Sequence, residues 1–211
     1  MNEHSRKIRK GRKFDQVVKG ARDVFLSEGF EGASVDNIAR AAGVSKATLY
    51  SYFPDKKLLF LEVARLECLQ QSEMAMVRAK SGQTPRETLT DIARRMTGFF
   101  LSDFGQKVFR ICVAESERFP EIGREFYQSG PETARRRLAS YFEAGVEHGL
   151  FEIEDCSLAA DQFAELCKAD LFPRIMFNVS DSVTEAEVAR VIDGAVEMFL
   201  ARYGTDAARN V

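Results

Sequence analysis

Tryptophan and long apolar runs are missing from this chain of 211 residues, and proline is scarce. No apolar run approaches the ~20 residues that span a bilayer, and no apolar segment follows the basic N-terminus. We therefore expect neither a membrane span nor a secretory signal. Only 5 prolines interrupt a sequence rich in Ala, Leu, Glu and Arg, which favours an all-helical fold.

Residues that carry enzymatic or metal chemistry are equally sparse. The two histidines, His4 and His148, have no companion at metal-ligand spacing, and GxSxG, HExxH and glycine-rich phosphate loops are absent from the sequence. The sequence therefore predicts no enzyme, no cofactor and no metal site. Four cysteines without CxxC spacing predict reduced thiols of a cytoplasmic protein: Cys68, Cys112, Cys156 and Cys167.

The net charge of -2 hides an asymmetry along the chain. Residues 1–57 carry 12 Lys/Arg and 7 Asp/Glu, a charge of +5, whereas residues 58–211 carry 18 and 25, a charge of -7. A basic N-terminal quarter on an acidic body predicts that one end meets a polyanion. A solvated basic tail is the alternative, because residues 6–13 supply most of the excess.

Apolar spacing, capping residues and helix breakers predict about nine helices. Three short helices are predicted over 14–28, 34–43 and 45–53, ended by Gly29, Gly43 and Pro54. The longer ones are predicted over 55–79, 85–101, 104–118, a region to Gly149 that Gly130-Pro131 kinks, 158–177 and 184–203. A loop over 81–85 and a connector over 150–155 separate them.

Three residues have the spacing of a helix-turn-helix motif. The small Ala39 lets two helices cross closely, Gly43 takes the left-handed backbone of the turn, and Leu49 packs the second helix against the first. An ordinary helical corner is the alternative interpretation.

Lysines stand where helix dipoles disfavour them. Lys46 follows the Ser45 cap, and Lys56 and Lys57 fall in the first turn after Pro54, which costs a few tenths of a kcal/mol. A phosphate oxygen would pair with such a lysine and accept from backbone N–H groups at once. These positions predict a DNA backbone as partner; lysines that merely extend into water are the alternative.

The stretch "GASVDNIARAAGVSKATLYSYFPDKKLLF", Gly32 to Phe60, closely resembles the DNA-binding part of the tetracycline-repressor (TetR) family. The specific resemblance covers about residues 14–60. It implies an all-α fold with an N-terminal three-helix DNA-binding domain that contains a helix-turn-helix, plus a larger helical ligand-binding and dimerisation domain. The implied division is a basic tail (1–13), a DNA-binding domain (14–60) and a ligand and dimer domain (61–211).

The resemblance also implies roles for individual residues at the DNA. Ser45, Lys46 and Thr48 should enter the major groove, while the other contacts go to the backbone. Core packing is the alternative for Tyr50 and Tyr52, and it suits Tyr52 better. The implied DNA-binding residues are Ser34, Ser45, Lys46, Thr48, Tyr50, Tyr52 and Lys56.

The larger domain holds many of the 17 phenylalanines, and aromatic cavities between helices suit apolar or aromatic ligands. An ordinary aromatic core is the alternative, and Glu115 and Asp170 can equally pair with arginines. The candidate ligand-binding residues are Phe100, Phe104, Cys112, Glu115, Phe119, Phe163, Cys167 and Asp170.

The last two helices are the predicted dimer interface, because one of them has an apolar face too wide for a surface helix. That face comprises Val188, Val191, Ile192, Ala195, Phe199 and Tyr203. The resemblance then implies a homodimeric repressor on a palindromic double-stranded operator, released by a small, largely apolar or aromatic molecule. Two alternatives stay open: control by a protein partner without a small-molecule effector, and activation.

Overall fold

The structure, a computed structural model, describes residues 11–75, 83–180 and 182–209, and of residues 68–75 only the backbone. Most of the predicted basic tail lies outside these residues. The last four positions, 76–79, of the helix predicted over 55–79 also lie outside them. Twelve helical segments form within the described ranges: α1 (Arg12–Gly32), α2 (Val35–Ala42), α3 (Lys46–Tyr52), α4 (Lys56–Ala75), α5 (Pro85–Leu101), α6 (Asp103–Glu115), α7 (Pro120–Ser129), α8 (Pro131–Glu147), α9 (Cys156–Leu166), α10 (Leu171–Met176), α11 (Glu185–Tyr203) and α12 (Asp206–Arg209). The all-α prediction is confirmed, with more and shorter segments than the nine expected.

The described residues form two compact units. The first contains the residues up to Glu67 together with Lys107–Phe126, and the second contains Cys68–Gln106 and the residues from Tyr127 onward. The first unit therefore includes a segment that lies far along the chain from the predicted 14–60 domain.

Helix α1 does not end at Gly29, where the sequence predicts its end. Gly29 adopts a φ of 72°, which favours glycine, and helical geometry resumes over the next three residues to Gly32. The prediction of a break at Gly29 is thus right, but the break is a kink within α1.

Helices α1 and α2 pack tightly where Gly20 meets Ala42. A Cβ added at Gly20 would lie 2.5 Å from the backbone nitrogen of Ala42 and 2.7 Å from its Cα, distances that real Cβ atoms do not show. The sequence predicts a close crossing of α2 and α3 at Ala39, which is buried, but it does not reveal the approach of α1 to α2 that Gly20 permits.

Aromatic rings form much of the core of the first unit. Phe60 packs edge-on against Phe25 and Phe30, with ring centroids 5.2 Å and 5.4 Å away. Phe119, from the later segment, packs edge-on against Phe30 at 6.0 Å. This segment thus completes the core around α1 and α4.

The core of the second unit lies among α5, α8, α9 and α11, and Phe199 of α11 is at its centre. The Phe199 ring stacks on Phe142 at 4.6 Å and meets Phe163 edge-on at 5.1 Å. The apolar face predicted for the dimer is mostly buried here within one chain: Val191, Ile192, Ala195 and Phe199 are each less than 10 % exposed. The assignment of these four residues to the dimer surface is wrong, because the width of the face reflects three helices of the same chain that pack against α11.

The long helix predicted over 158–177 is broken into α9 and α10. Pro173 would sit in the interior of such a helix, where its ring clashes with the carbonyl of Ala169 and its missing N–H leaves one bond unmade. The chain instead turns through Asp170, at a φ of 65°, so that Pro173 falls in the first turn of α10, where no N–H donor is needed.

Candidate nucleic-acid interface

A helix-turn-helix occupies residues 34–53 of the first unit. The Ser34 side chain caps α2 by accepting from the Asn37 N–H at 3.0 Å. Gly43 ends α2 in the left-handed region (φ 64°), so that its N–H and that of Val44 reach back to the last carbonyls of α2. The turn predicted from Ala39, Gly43 and Leu49 is therefore present, with Leu49 only 1 % exposed.

The hydroxyl groups at the start of α3 and within it form hydrogen bonds with one another and with the backbone of α3. The Ser45 Oγ accepts from the Thr48 N–H at 3.1 Å and lies 2.9 Å from the Thr48 Oγ1. The Ser51 hydroxyl donates to the Thr48 carbonyl at 2.6 Å. The structure thus brings the predicted pair Ser45 and Thr48 into direct contact.

The two predicted tyrosines differ in environment. Tyr50 is 49 % exposed, whereas Tyr52 is half-buried and packs edge-on against Phe14 at 5.9 Å. Tyr50 can therefore reach a macromolecule with its ring and hydroxyl, while much of the Tyr52 ring contributes to the core.

The three lysines that stand at the starts of α3 and α4 all have partners within the first unit. Lys46 forms an ion pair with Asp36 of α2. Lys56 donates to the Phe30 carbonyl at 2.7 Å and lies 4.6 Å from the centre of that ring. Lys56 thus binds the C-terminal end of α1, where backbone carbonyls favour a cation.

Lys57 forms an ion pair with Glu121. Their hydrogen bond raises the pKa of Lys57 and lowers the pKa of Glu121. The N-terminus of α4 is also capped, since the Asp55 carboxylate accepts from the Leu58 N–H at 2.8 Å. These acidic partners were not predicted from the sequence, although Asp55 stands at a recognisable capping position three residues before Leu58.

The candidate ligand-binding residues divide between the two units. Cys112, Glu115 and Phe119 belong to the first unit. The others, Phe100, Phe104, Phe163, Cys167 and Asp170, belong to the second unit.

Within the second unit, these candidates have different environments. Phe163 and Cys167 are fully buried, and burial raises the pKa of the Cys167 thiol to about 12. Asp170 is exposed and pairs with Arg174 at 3.3 Å and Arg190 at 3.0 Å, which is the arginine pairing that the sequence left open.

Phe100 is the half-buried aromatic candidate of this unit. Its ring lies 6.1 Å from that of Phe172, edge-on, and the Lys168 ammonium lies 5.3 Å from its centre. Two rings and one cation thus meet between α5 and the start of α10. Such a group can contact a planar aromatic molecule through ring faces and a cation.

The described ranges hold neither a candidate metal site nor a candidate membrane span. No three His, Cys, Asp or Glu side chains there are grouped closely enough to hold a metal ion. Nor does any helix of these ranges have the length and apolar character of a bilayer span.

Two family models match the chain. Residues 17–63 match the bacterial regulatory proteins of the tetR family, and residues 87–205 match the C-terminal domain of AefR-like transcriptional repressors. The chain belongs to the TetR family. The resemblance noted for Gly32 to Phe60 is confirmed, and TetR-family proteins are DNA-binding transcriptional regulators rather than enzymes.

Solved structures of TetR-family regulators match over almost the whole chain. A crystal structure from Mesorhizobium loti MAFF303099, assigned to this family, is 31 % identical with a TM-score of 0.86, covering 92 % of this chain and 98 % of that one. The flavonoid-responsive regulator FrrA is 38 % identical with a TM-score of 0.76, covering 94 % and 100 %.

Curated relatives match over a shorter stretch of the chain. The transcriptional repressor AcnR of Corynebacterium glutamicum is 36 % identical over 59 residues, which are 28 % of this chain and 31 % of AcnR. The chain thus spans about a third of the length of the AcnR repressors it matches.

Proposed function

We propose that this TetR-family regulator is a homodimeric repressor that leaves its operator when a small aromatic or apolar molecule binds. Residues 14–60 contact DNA in this proposal, and residues 61–211 bind the effector and the second subunit. The observation that carries it is the capped helix-turn-helix of the first unit, which exposes Lys46 and Tyr50 on α3.

The hydroxyl groups of this motif retain donors for DNA. Ser34 accepts from a backbone N–H, so its own O–H is available to donate to a phosphate oxygen. In the bonded pair of Ser45 and Thr48, one hydroxyl donates to the other, which leaves one O–H for a base edge or phosphate. Tyr50 adds an exposed hydroxyl, and Lys56 and Tyr52 support the motif from within it.

The nature of the effector is supported by similarity and by chemistry. FrrA, which is 38 % identical over nearly its whole length, is flavonoid-responsive. Flavonoids are planar, aromatic and phenolic, and the group formed by Phe100, Phe172 and Lys168 offers aromatic rings and a cation to such a molecule. The buried Phe163 and Cys167 become contacts only if the core opens around the ligand.

Binding to the DNA upstream of its own gene tests this function. We expect tight binding that weakens steeply between roughly 50 and 200 mM salt, because phosphate contacts release counterions. Tyr50→Phe should lower the affinity about ten-fold, since it removes a hydrogen bond to a charged acceptor. Fluorescence anisotropy with a labelled duplex measures both effects.

Tyr127→Phe is the matched control, because Tyr127 is 50 % exposed and lies in the second unit. Its affinity for DNA should equal that of the wild type. Quercetin, used as a flavonoid probe, should then release the wild-type protein from the same duplex. Binding that ignores salt and Tyr50 contradicts the DNA interface, whereas normal binding that quercetin leaves intact contradicts the flavonoid-like effector.

The dimer is proposed to use the exposed side of α9 and α11. Met198 is 61 % exposed and Leu158 is 52 % exposed, which is unusual for large apolar side chains. Gly194 is also exposed one turn before Met198, and its small size lets a second helix approach closely. This narrower face replaces the buried residues assigned to the interface from sequence.

Met198→Glu is expected to produce a monomer, because a carboxylate would be buried at the centre of the interface. Affinity for a full palindromic operator should fall about 100-fold or more, since the two half-sites are no longer bound by one particle. Sedimentation velocity measures the change in mass. Val113→Glu, at a residue 57 % exposed in the first unit, should remain dimeric; a dimeric Met198→Glu protein contradicts this interface.

A further inference from the structure

Lys46 occupies the first position of α3, where the helix dipole disfavours a cation. Its ammonium pairs with the carboxylate of Asp36, in the first turn of α2. The side chains are 58 % and 56 % exposed, so both groups are open to solvent and to a passing anion. The negative partner of Lys46 that the sequence predicts in DNA is therefore already present within the motif as Asp36.

A carboxylate and a phosphate both accept hydrogen bonds from the same ammonium group. An exposed ion pair is weak and opens readily, so a DNA phosphate can replace Asp36 as the partner of Lys46. The exchange leaves an unpaired carboxylate beside a polyanion, which opposes the gain from the new contact. Lys46 therefore contributes less to DNA binding than a lysine with no acidic neighbour.

We propose that Asp36 is a positioning residue that competes with the DNA backbone for Lys46 and thereby weakens binding to duplexes of every sequence. The proposal rests on the proposed function, in which α3 meets DNA. Phosphate contacts carry no sequence information, so restraining one of them lowers non-specific binding. Contacts to base edges then decide where the protein binds.

A random-sequence duplex of about 30 base pairs is the probe, because the competition does not depend on the operator. Asp36→Asn should bind it more tightly and make the salt slope steeper by about one phosphate. The loss of affinity between 50 and 200 mM salt should consequently be about 3.5-fold greater than for the wild type, since each phosphate adds a slope of about -0.9. Anisotropy titrations at four or more salt concentrations give the slope.

The double-mutant cycle with Lys46→Gln separates competition from simple charge repulsion. In the Asp36→Asn background, Lys46→Gln should reduce the salt slope by about one, whereas in the wild-type background it should change the slope little. Equal changes in both backgrounds would overturn the proposal, because Asp36 would then not reduce the net contribution of Lys46 to phosphate binding.

Asp206→Asn is the matched control, since Asp206 is a first-turn carboxylate in the second unit and is 94 % exposed. It removes the same charge and should leave the slope unchanged. If thermal unfolding shows that Asp36→Asn loses the fold, Asp36→Ser removes the same charge with a smaller polar residue. A wild-type protein without salt-dependent DNA binding contradicts the proposed function; a wild type that binds normally beside an unchanged Asp36→Asn protein contradicts only the competition.

Discussion

Gly20→Ala is expected to destabilise the first unit by about 2–3 kcal/mol, although alanine is the better helix former. The new methyl group would lie 2.5 Å from the backbone nitrogen of Ala42. Backbone atoms cannot rotate away as a side chain can, so α2 has to move off α1. Because α2 positions α3, affinity for the operator should fall together with stability.

The same substitution at another helical glycine is expected to change stability in the opposite direction. Gly98 lies in α5, is exposed, and has no atom within 4 Å of an added Cβ. Gly98→Ala should therefore raise the free energy of unfolding by about 0.5–1 kcal/mol, the ordinary gain in helix propensity. Urea denaturation followed by circular dichroism measures both. A Gly20→Ala protein stabilised like the Gly98→Ala protein would contradict the close crossing.

Phe199→Ala is expected to lower the free energy of unfolding of the second unit by about 3–5 kcal/mol. Phe199 is 1 % exposed, and its ring contacts those of Phe142, Phe163 and Tyr203. Neighbouring rings cannot fill the space that an alanine would leave, because they are fixed by one another. Denaturation of the wild type and the variant gives the difference.

Phe177→Ala provides the comparison, since that ring is 80 % exposed and its removal should change stability by no more than about 0.5 kcal/mol. The two substitutions delete the same atoms from opposite environments. Similar losses for both would show that Phe199 is not the centre of the core.

Sequence patterns predicted the helix-turn-helix well because its determinants are local. Ser34 and Ser45 cap helices through a backbone N–H three residues on, and Gly43 takes a left-handed backbone that other residues adopt at a cost. Helix α5 has the predicted bounds, Pro85 to Leu101, and the structure shows a local capping box of Thr84 and Glu87 at its start.

Local sequence patterns could not predict contacts between residues that are distant in the chain. Lys56 and Phe30 are 26 residues apart, and Lys57 and Glu121 are 64 apart, so no local spacing indicates either contact. The same limit explains the error at α11. An apolar face of given width packs equally well on its own chain or on a second subunit, and only the positions of α5, α8 and α9 decide between them.

The first unit is discontinuous in sequence, so a single cut in the chain cannot separate it from the second unit. A fragment that stops at Glu67 would keep the whole helix-turn-helix but lose Phe119, which covers Phe30, and Glu121, which neutralises Lys57. A transfer of the first unit between family members therefore requires Lys107–Phe126 together with the residues up to Glu67. The core of the first unit is thus encoded by two separated stretches of the gene.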